Sequence, residues 1–254
     1  MSQKLSLKFI RYASNARKSL SYIIRKPDLS ENRFVILGRG RTGSTALVNL
    51  LNNVDGVQCD DEILRYKLPF PKHHILSKCT ESSEKTYGFK LITYQIQQVQ
   101  NIRDHLNFIQ DLYNSGFKVV YTKRDNMLKQ IISHIRANID GYHYKKNENY
   151  KAKKLLVNPE KVAELLEGSN KFDKYEMELL SGLSYLPLSY ENHLENEEVH
   201  QSTVDLVCNF LGIKSSQVIT EYKKMSPKSL SDSVENYAEL QDFFRNTKYS
   251  EFFD

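Results

Sequence analysis

The chain has 254 residues, 40% hydrophobic and 26% charged. At about 150 residues per domain this allows one or two domains, and it reads as a globular, soluble protein rather than a collagen, a disordered tail or a disulfide-dense scaffold. The net charge of +5 sits at one end: residues 1–30 hold seven Lys/Arg and one Asp, leaving 29 basic and 30 acidic residues elsewhere, which argues against a generally nucleic-acid-coating surface.

No apolar run is long enough to cross a bilayer or to act as the core of a secretory signal. The three scattered cysteines, Cys59, Cys79 and Cys208, fit a reducing, cytoplasmic setting. Residues 3–26 predict a basic amphipathic helix, with Leu5, Phe9, Tyr12, Ala16, Leu20 and Ile23 at three- and four-residue steps. Two readings stay open for it: a helix laid across the parent domain, or one that docks on a membrane surface or a partner.

Arg33–Leu37 reads as a buried parallel strand, followed by a glycine turn at residues 38–43 and a helix over Thr45–Asn53. Tyr87–Ile92 and Phe117–Thr122 predict further strands, and Tyr185–Ser189 a fourth. Helices are expected over Gln97–Asn114, Asp125–Asn138, Pro159–Leu180 and Glu195–Leu211, the last stopped by Gly212. Residues 140–154 are polar, aromatic and basic and read as a loop or lid. Strands alternating with helices imply an α/β fold of three layers around a mostly parallel sheet.

The segment Gly38-Arg39-Gly40-Arg41-Thr42-Gly43-Ser44-Thr45 nearly matches the spacing of a nucleoside-triphosphate loop. Backbone N–H groups and a helix N-terminus can cradle a phosphate there. The lysine of that loop is missing: Ser44 stands in its place, and the cations are Arg39 and Arg41, inside the turn. A lysine after the turn reaches toward a γ-phosphate. A cation drawn back into the turn suits a terminal 5′-phosphate and the group bonded to it.

Arg41-Thr42-Gly43-Ser44-Thr45 resembles the 5′-phosphosulfate loop of sulfotransferases that use 3′-phosphoadenosine 5′-phosphosulfate (PAPS). The longer stretch Val35–Leu51 is most similar to bacterial carbohydrate sulfotransferases of the nodulation-factor and trehalose type. Asp61-Glu62-Ile63-Leu64, Gly88-Phe89-Lys90, Arg124 through Ser133, Tyr190-Glu191 and Ser229–Leu240 resemble further segments of that family in the same order.

The resemblance implies a P-loop-like sulfotransferase domain over residues 31–254, preceded by the basic helix of residues 1–30. It implies PAPS as co-substrate with no metal, and a small-molecule or glycan hydroxyl as acceptor. The implied cofactor-binding residues are Arg39, Gly40, Arg41, Thr42, Gly43, Ser44, Thr45, Arg124 and Ser133; Arg41, Glu62 and Lys90 are the implied catalytic residues, with Glu62 as general base. Arg124 and Ser133 lie one position further apart than in many members, so Lys123 and Asn126 are rival ligands. His73, His74 and His134 are rival bases. Tyr142, His143, Tyr144, Lys145, Lys146, Tyr150 and Lys151 in the lid can meet a sugar, and Lys223, Lys224 and Lys228 can cover the nucleotide. Two other classes stay open: a kinase-type phosphotransferase with Asp125 on magnesium, and a non-catalytic nucleotide-binding scaffold. The expected location is cytoplasmic, peripheral to a membrane if residues 3–26 bind one.

Overall fold

The computed structural model describes residues 2–25, 27–140, 153–219 and 229–253. The elements in chain order are α1 (Ser2–Arg25), β1 (Asn32–Gly38), α2 (Ser44–Leu51), β2 (Val57–Asp60), α3 (Pro71–Glu81), β3 (Thr86–Ile92), α4 (His105–Asn114), β4 (Phe117–Lys123), α5 (Met127–Asp140) and α6 (Pro159–Leu179). They continue with β5 (Tyr185–Ser189), the single turn α7 (Tyr190–His193), α8 (His200–Leu211), the single turn α9 (Leu230–Ser233) and α10 (Tyr237–Phe244).

The five strands form one sheet in the order β2-β3-β1-β4-β5, and every pairing is parallel. Side chains alternate across it. Phe34, Ile36, Val120 and Leu188 face α2 and α8, while Val35, Leu37, Phe89, Val119 and Tyr121 face α3, α4 and α6. The result is a three-layer α/β architecture. A third apolar cluster joins α5, α6 and α10 through Leu128, Ile132, Leu166, Leu240 and Phe244.

Several boundaries differ from the sequence expectation, each for a local reason. Strand β2 and helix α3 were not predicted: β2 has only four residues with half-buried Gln58 and Asp60, and α3 buries His74 and Ser77 beside Ile75 and Cys79, which blurs an apolar stripe. Tyr185–Ser189 is therefore the fifth strand, not the fourth. The single helix expected over Gln97–Asn114 is broken. A π-helical turn spans Gln95–Val99, and Asn101 takes a left-handed φ of 53°. Gln100 is diverted to the 64–68 loop, donating to Leu64 O and Tyr66 O and accepting from Leu68 N. Asp104 then caps α4 by accepting from Asn107 N at 2.9 Å.

Helix α5 begins two residues later than expected because Asn126 caps it, its side-chain oxygen accepting from Lys129 N at 2.9 Å. Helix α8 begins at His200, after a 3-10 turn at Glu197–Val199. Among the described residues no helix is long and apolar enough to cross a membrane.

Candidate functional site

Strand order dictates where a site can form. The chain leaves β1 for β2 on one side, then crosses from β3 past β1 to β4 on the other. In parallel sheets such a switch point opens a crevice outside the carboxyl ends of the strands. All five strands deliver polar groups there: the 39–43 turn after β1, Asp61 and Glu62 after β2, Lys90 near the end of β3, Arg124 after β4, and Tyr190-Glu191 after β5.

The turn is fixed by close packing. A Cβ on Gly38 would lie 2.2 Å from Thr122 O, so only glycine lets β1 approach β4 this closely. Thr42, fully buried, donates to Arg39 O at 2.9 Å and lies 3.0 Å from the Thr122 hydroxyl. Gly43 has φ 78°, and its missing Cβ leaves room for Tyr190 and Leu194. No side chain caps the N-terminus of α2 that follows, which leaves its first N–H groups to a ligand or water. Gln130 Nε2 ties the turn to α5 by donating to Gly40 O at 2.8 Å.

The two arginines of the turn diverge. Arg41 has φ 67°, a left-handed conformation that costs a side-chain-bearing residue about 1–2 kcal/mol. Its Nε donates to Ser133 Oγ at 2.9 Å, a contact that joins the turn to α5. Arg39 turns the other way. It donates to Ser169 O at 3.0 Å, to Ser169 Oγ and to Asp173, and its Nε lies 3.3 Å from Glu176 Oε2. Its guanidinium is bound to α6, and only its backbone belongs to the turn.

Glu176 is buried and also accepts from Thr93 Oγ1 and Tyr121 Oη, both at 2.8 Å. Burial outweighs these partners and raises its carboxyl above the usual range; burial likewise raises Asp173.

Lys90 is only 3% exposed. Its Nζ lies 2.6 Å from Asp61 Oδ1 and 3.1 Å from Glu62 Oε1, and it donates to Thr45 Oγ1 at 2.8 Å. One buried cation thus joins the acidic segment to the first turn of α2. The other Glu62 oxygen accepts from Gln95 Nε2 at 2.8 Å, so Gln95 orients the carboxylate. Nothing in the sequence pattern singles out Gln95.

Arg124 lies in the loop between β4 and α5, its side chain 9% exposed. Its guanidinium sits 4.5 Å from the centroid of the Tyr190 ring and 3.5 Å, at Nε, from Glu191 Oε1. That Nε makes no hydrogen bond among the described residues. Burial lowers the Arg124 pKa from its ordinary value. Glu191 is occupied, accepting from the N–H groups of Asp125 and Asn126 at 2.9 and 3.2 Å. Both rivals of Arg124 are engaged elsewhere: Lys123 pairs with Asp125 at 2.7 Å, and Asn126 caps α5 and donates to Phe252 O.

The histidines separate by place. His73 meets the rings of Tyr22 and Phe70, and His74 is buried on α3, its pKa pushed down to about 4, chiefly by burial. His134 on α5 reaches solvent, and partial desolvation and then the Arg41 charge hold it below its ordinary pKa. The aromatic and basic residues Tyr142, His143, Tyr144, Lys145, Lys146, Tyr150 and Lys151, and the lysines 223, 224 and 228, lie outside the described residues. No family model and no curated protein matches the chain.

Proposed function

We propose that this chain is a sulfotransferase that moves the sulfuryl group of PAPS to an acceptor hydroxyl, on a carbohydrate or glycolipid. The observation that carries the reading is a pair of cation posts at the switch point. One is Arg41, inside a glycine turn that lacks the triphosphate lysine and tethered by Ser133. The other is Arg124 at the end of the neighbouring strand, buried, with an Nε that makes no hydrogen bond among the described residues. Two separate posts suit a nucleotide with phosphates at both its 5′ and 3′ ends. The Arg124 Nε has the Glu191 carboxylate only at 3.5 Å, and a phosphate oxygen at hydrogen-bond distance would satisfy it.

PAPS, when bound, supplies an activated sulfuryl group: the bond from sulfur to the 5′-phosphate oxygen breaks as the acceptor oxygen bonds to sulfur. The protein's part is positioning and charge stabilisation. Arg41 offsets negative charge that grows on the departing 5′-phosphate. The N-terminus of α2, with Ser44 and Thr45, holds that phosphate. Glu62 takes the acceptor proton, oriented by Gln95 and Lys90. Lys90 sits between that base and Thr45, where it holds one end of the acceptor crevice to the phosphate turn. The carbohydrate acceptor rests on the sequence resemblance alone, and the cytoplasmic setting on the scattered cysteines.

The test is transfer of labelled sulfate from PAPS to a panel of sugars and glycolipids, with Arg41→Ala alongside. Product formed by the parent protein and lost in the variant supports the reading. Labelled phosphate transfer from ATP with magnesium, and none from PAPS, contradicts it.

A further inference from the structure

The sequence predicts an apolar stripe on α1, and in the structure only part of it packs: Ala16 and Ile23 are half-buried. Contact with α3 is centred on the neighbouring edge. Ser19 is buried there, the Tyr22 ring stands 6.4 Å from His73, and Lys18 Nζ reaches Glu81 at 3.0 Å. The stripe residues Tyr12 and Leu20 are left 43% and 45% exposed, and Ile24 beside them 81%.

Length compounds the mismatch. At 1.5 Å per residue, 24-residue α1 is about 36 Å long and 11-residue α3 about 16 Å. The two run antiparallel, since Lys18 meets the last residue of α3 and Tyr22 meets a residue near its start. Sixteen of the 24 residues of α1 precede Lys18, so much of the helix runs on past α3. Along its whole length α1 carries Lys4, Lys8, Arg11, Arg17, Lys18 and Arg25 and no acidic residue.

We infer that α1 binds an anionic lipid surface, its exposed apolar residues seated among the acyl chains and its cations over the headgroups. Charge selects this occupant over the others. A second copy of the chain would bring together two helices of like charge, which repel. A nucleic acid would take the cations and leave Tyr12, Leu20 and Ile24 in water. An anionic bilayer satisfies both halves of an amphipathic cationic helix at once. This inference does not depend on the transferase reading.

The test uses the full chain in vesicle sedimentation, with neutral phosphatidylcholine vesicles and with vesicles containing about one-third phosphatidylglycerol. The pair Leu20→Glu and Ile24→Glu is compared with the parent protein. Both positions are exposed, so the variant should keep the parent's melting temperature and its titration with the nucleotide product of PAPS. The expected result is binding to the anionic vesicles at least tenfold stronger than to the neutral ones, weakened by salt and reduced at least tenfold in the variant. Three results would overturn the inference: equal binding to both vesicle types, binding unchanged in the variant, or no vesicle binding. If vesicle binding is absent and the variant turns a sedimenting dimer into a monomer, the occupant is a second copy instead. Loss of nucleotide binding in the parent protein with lipid binding intact would sink the transferase reading and leave this inference standing.

Discussion

Two carboxylate–cation clusters flank the same glycine turn, and they differ in depth. On one side Arg39 is bound to Glu176 and Asp173 on α6, with Tyr121 and Thr93 closing around a buried carboxylate. On the other side Lys90 meets Asp61, which is 55% exposed, and half-buried Glu62. The first cluster has its polar partners within the protein and anchors the turn to α6. The second keeps the Asp61 carboxylate open to solvent at the carboxyl edge of the sheet. Position in the turn therefore does not decide function; the partners waiting on neighbouring elements do.

Breaking the deep cluster should have the largest effect. Glu176→Ala leaves Arg39 without its buried partner, a change that typically costs about 3–5 kcal/mol. Urea denaturation should show this loss in stability. Full stability with lost turnover would instead put Arg39 in the reacting site. Next comes Arg41→Ala: by analogy with removal of an oxyanion donor it should raise the barrier by about 3–4 kcal/mol, read as kcat on PAPS, with the folding midpoint near that of the parent.

Glu62→Gln keeps the shape and should lower turnover by about a hundredfold or more while leaving nucleotide affinity nearly intact. Turnover that survives would hand the role of base to His134. Asp61→Asn should matter least among the acidic changes. The Asp61 carboxylate is 55% exposed and buried Lys90 keeps Glu62 as a partner, so the melting temperature should fall less than in Glu176→Ala.

A titration sharpens the same picture. His134 is held below its ordinary pKa first by partial desolvation and then by Arg41. Removing the arginine charge should raise that pKa, visible as an upward shift in the imidazole NMR titration of Arg41→Ala. The sign for stability follows. A histidine with a depressed folded pKa binds its proton more readily in the unfolded chain, so stability falls as pH drops below about 6.5, and Arg41→Ala should reduce that fall.

Much of the fold was legible because β1, β3 and β4 are near-continuous Val/Ile/Leu/Phe/Tyr runs bounded by glycine or polar residues. Strand β2 and helix α3 were not, because short edge strands and polar-rich buried faces carry little periodicity. The π-helical break before α4 depends on what the Gln100 side chain grips, and those partners are more than thirty residues away in sequence.

The same limit applies to the site. Spacing identified the turn, but it could not tell that Arg39 turns toward α6 while Arg41 meets Ser133. Glu176, Gln95 and Gln130 act through tertiary contacts, and no local pattern marks them. The Arg124–Tyr190 stack likewise joins the ends of two strands that only the sheet order makes neighbours.

The proposed role of Arg41 and Arg124 is to hold a nucleotide phosphorylated at both ends. Isothermal titration with 3′-phosphoadenosine 5′-phosphate, for the parent protein and Arg124→Ala, with ATP plus magnesium as control, tests it most directly. The expected result is tight binding of the bisphosphate nucleotide, lost in the variant, and weaker binding of ATP. Clear ATP binding with no affinity for the 3′,5′-bisphosphate would contradict it.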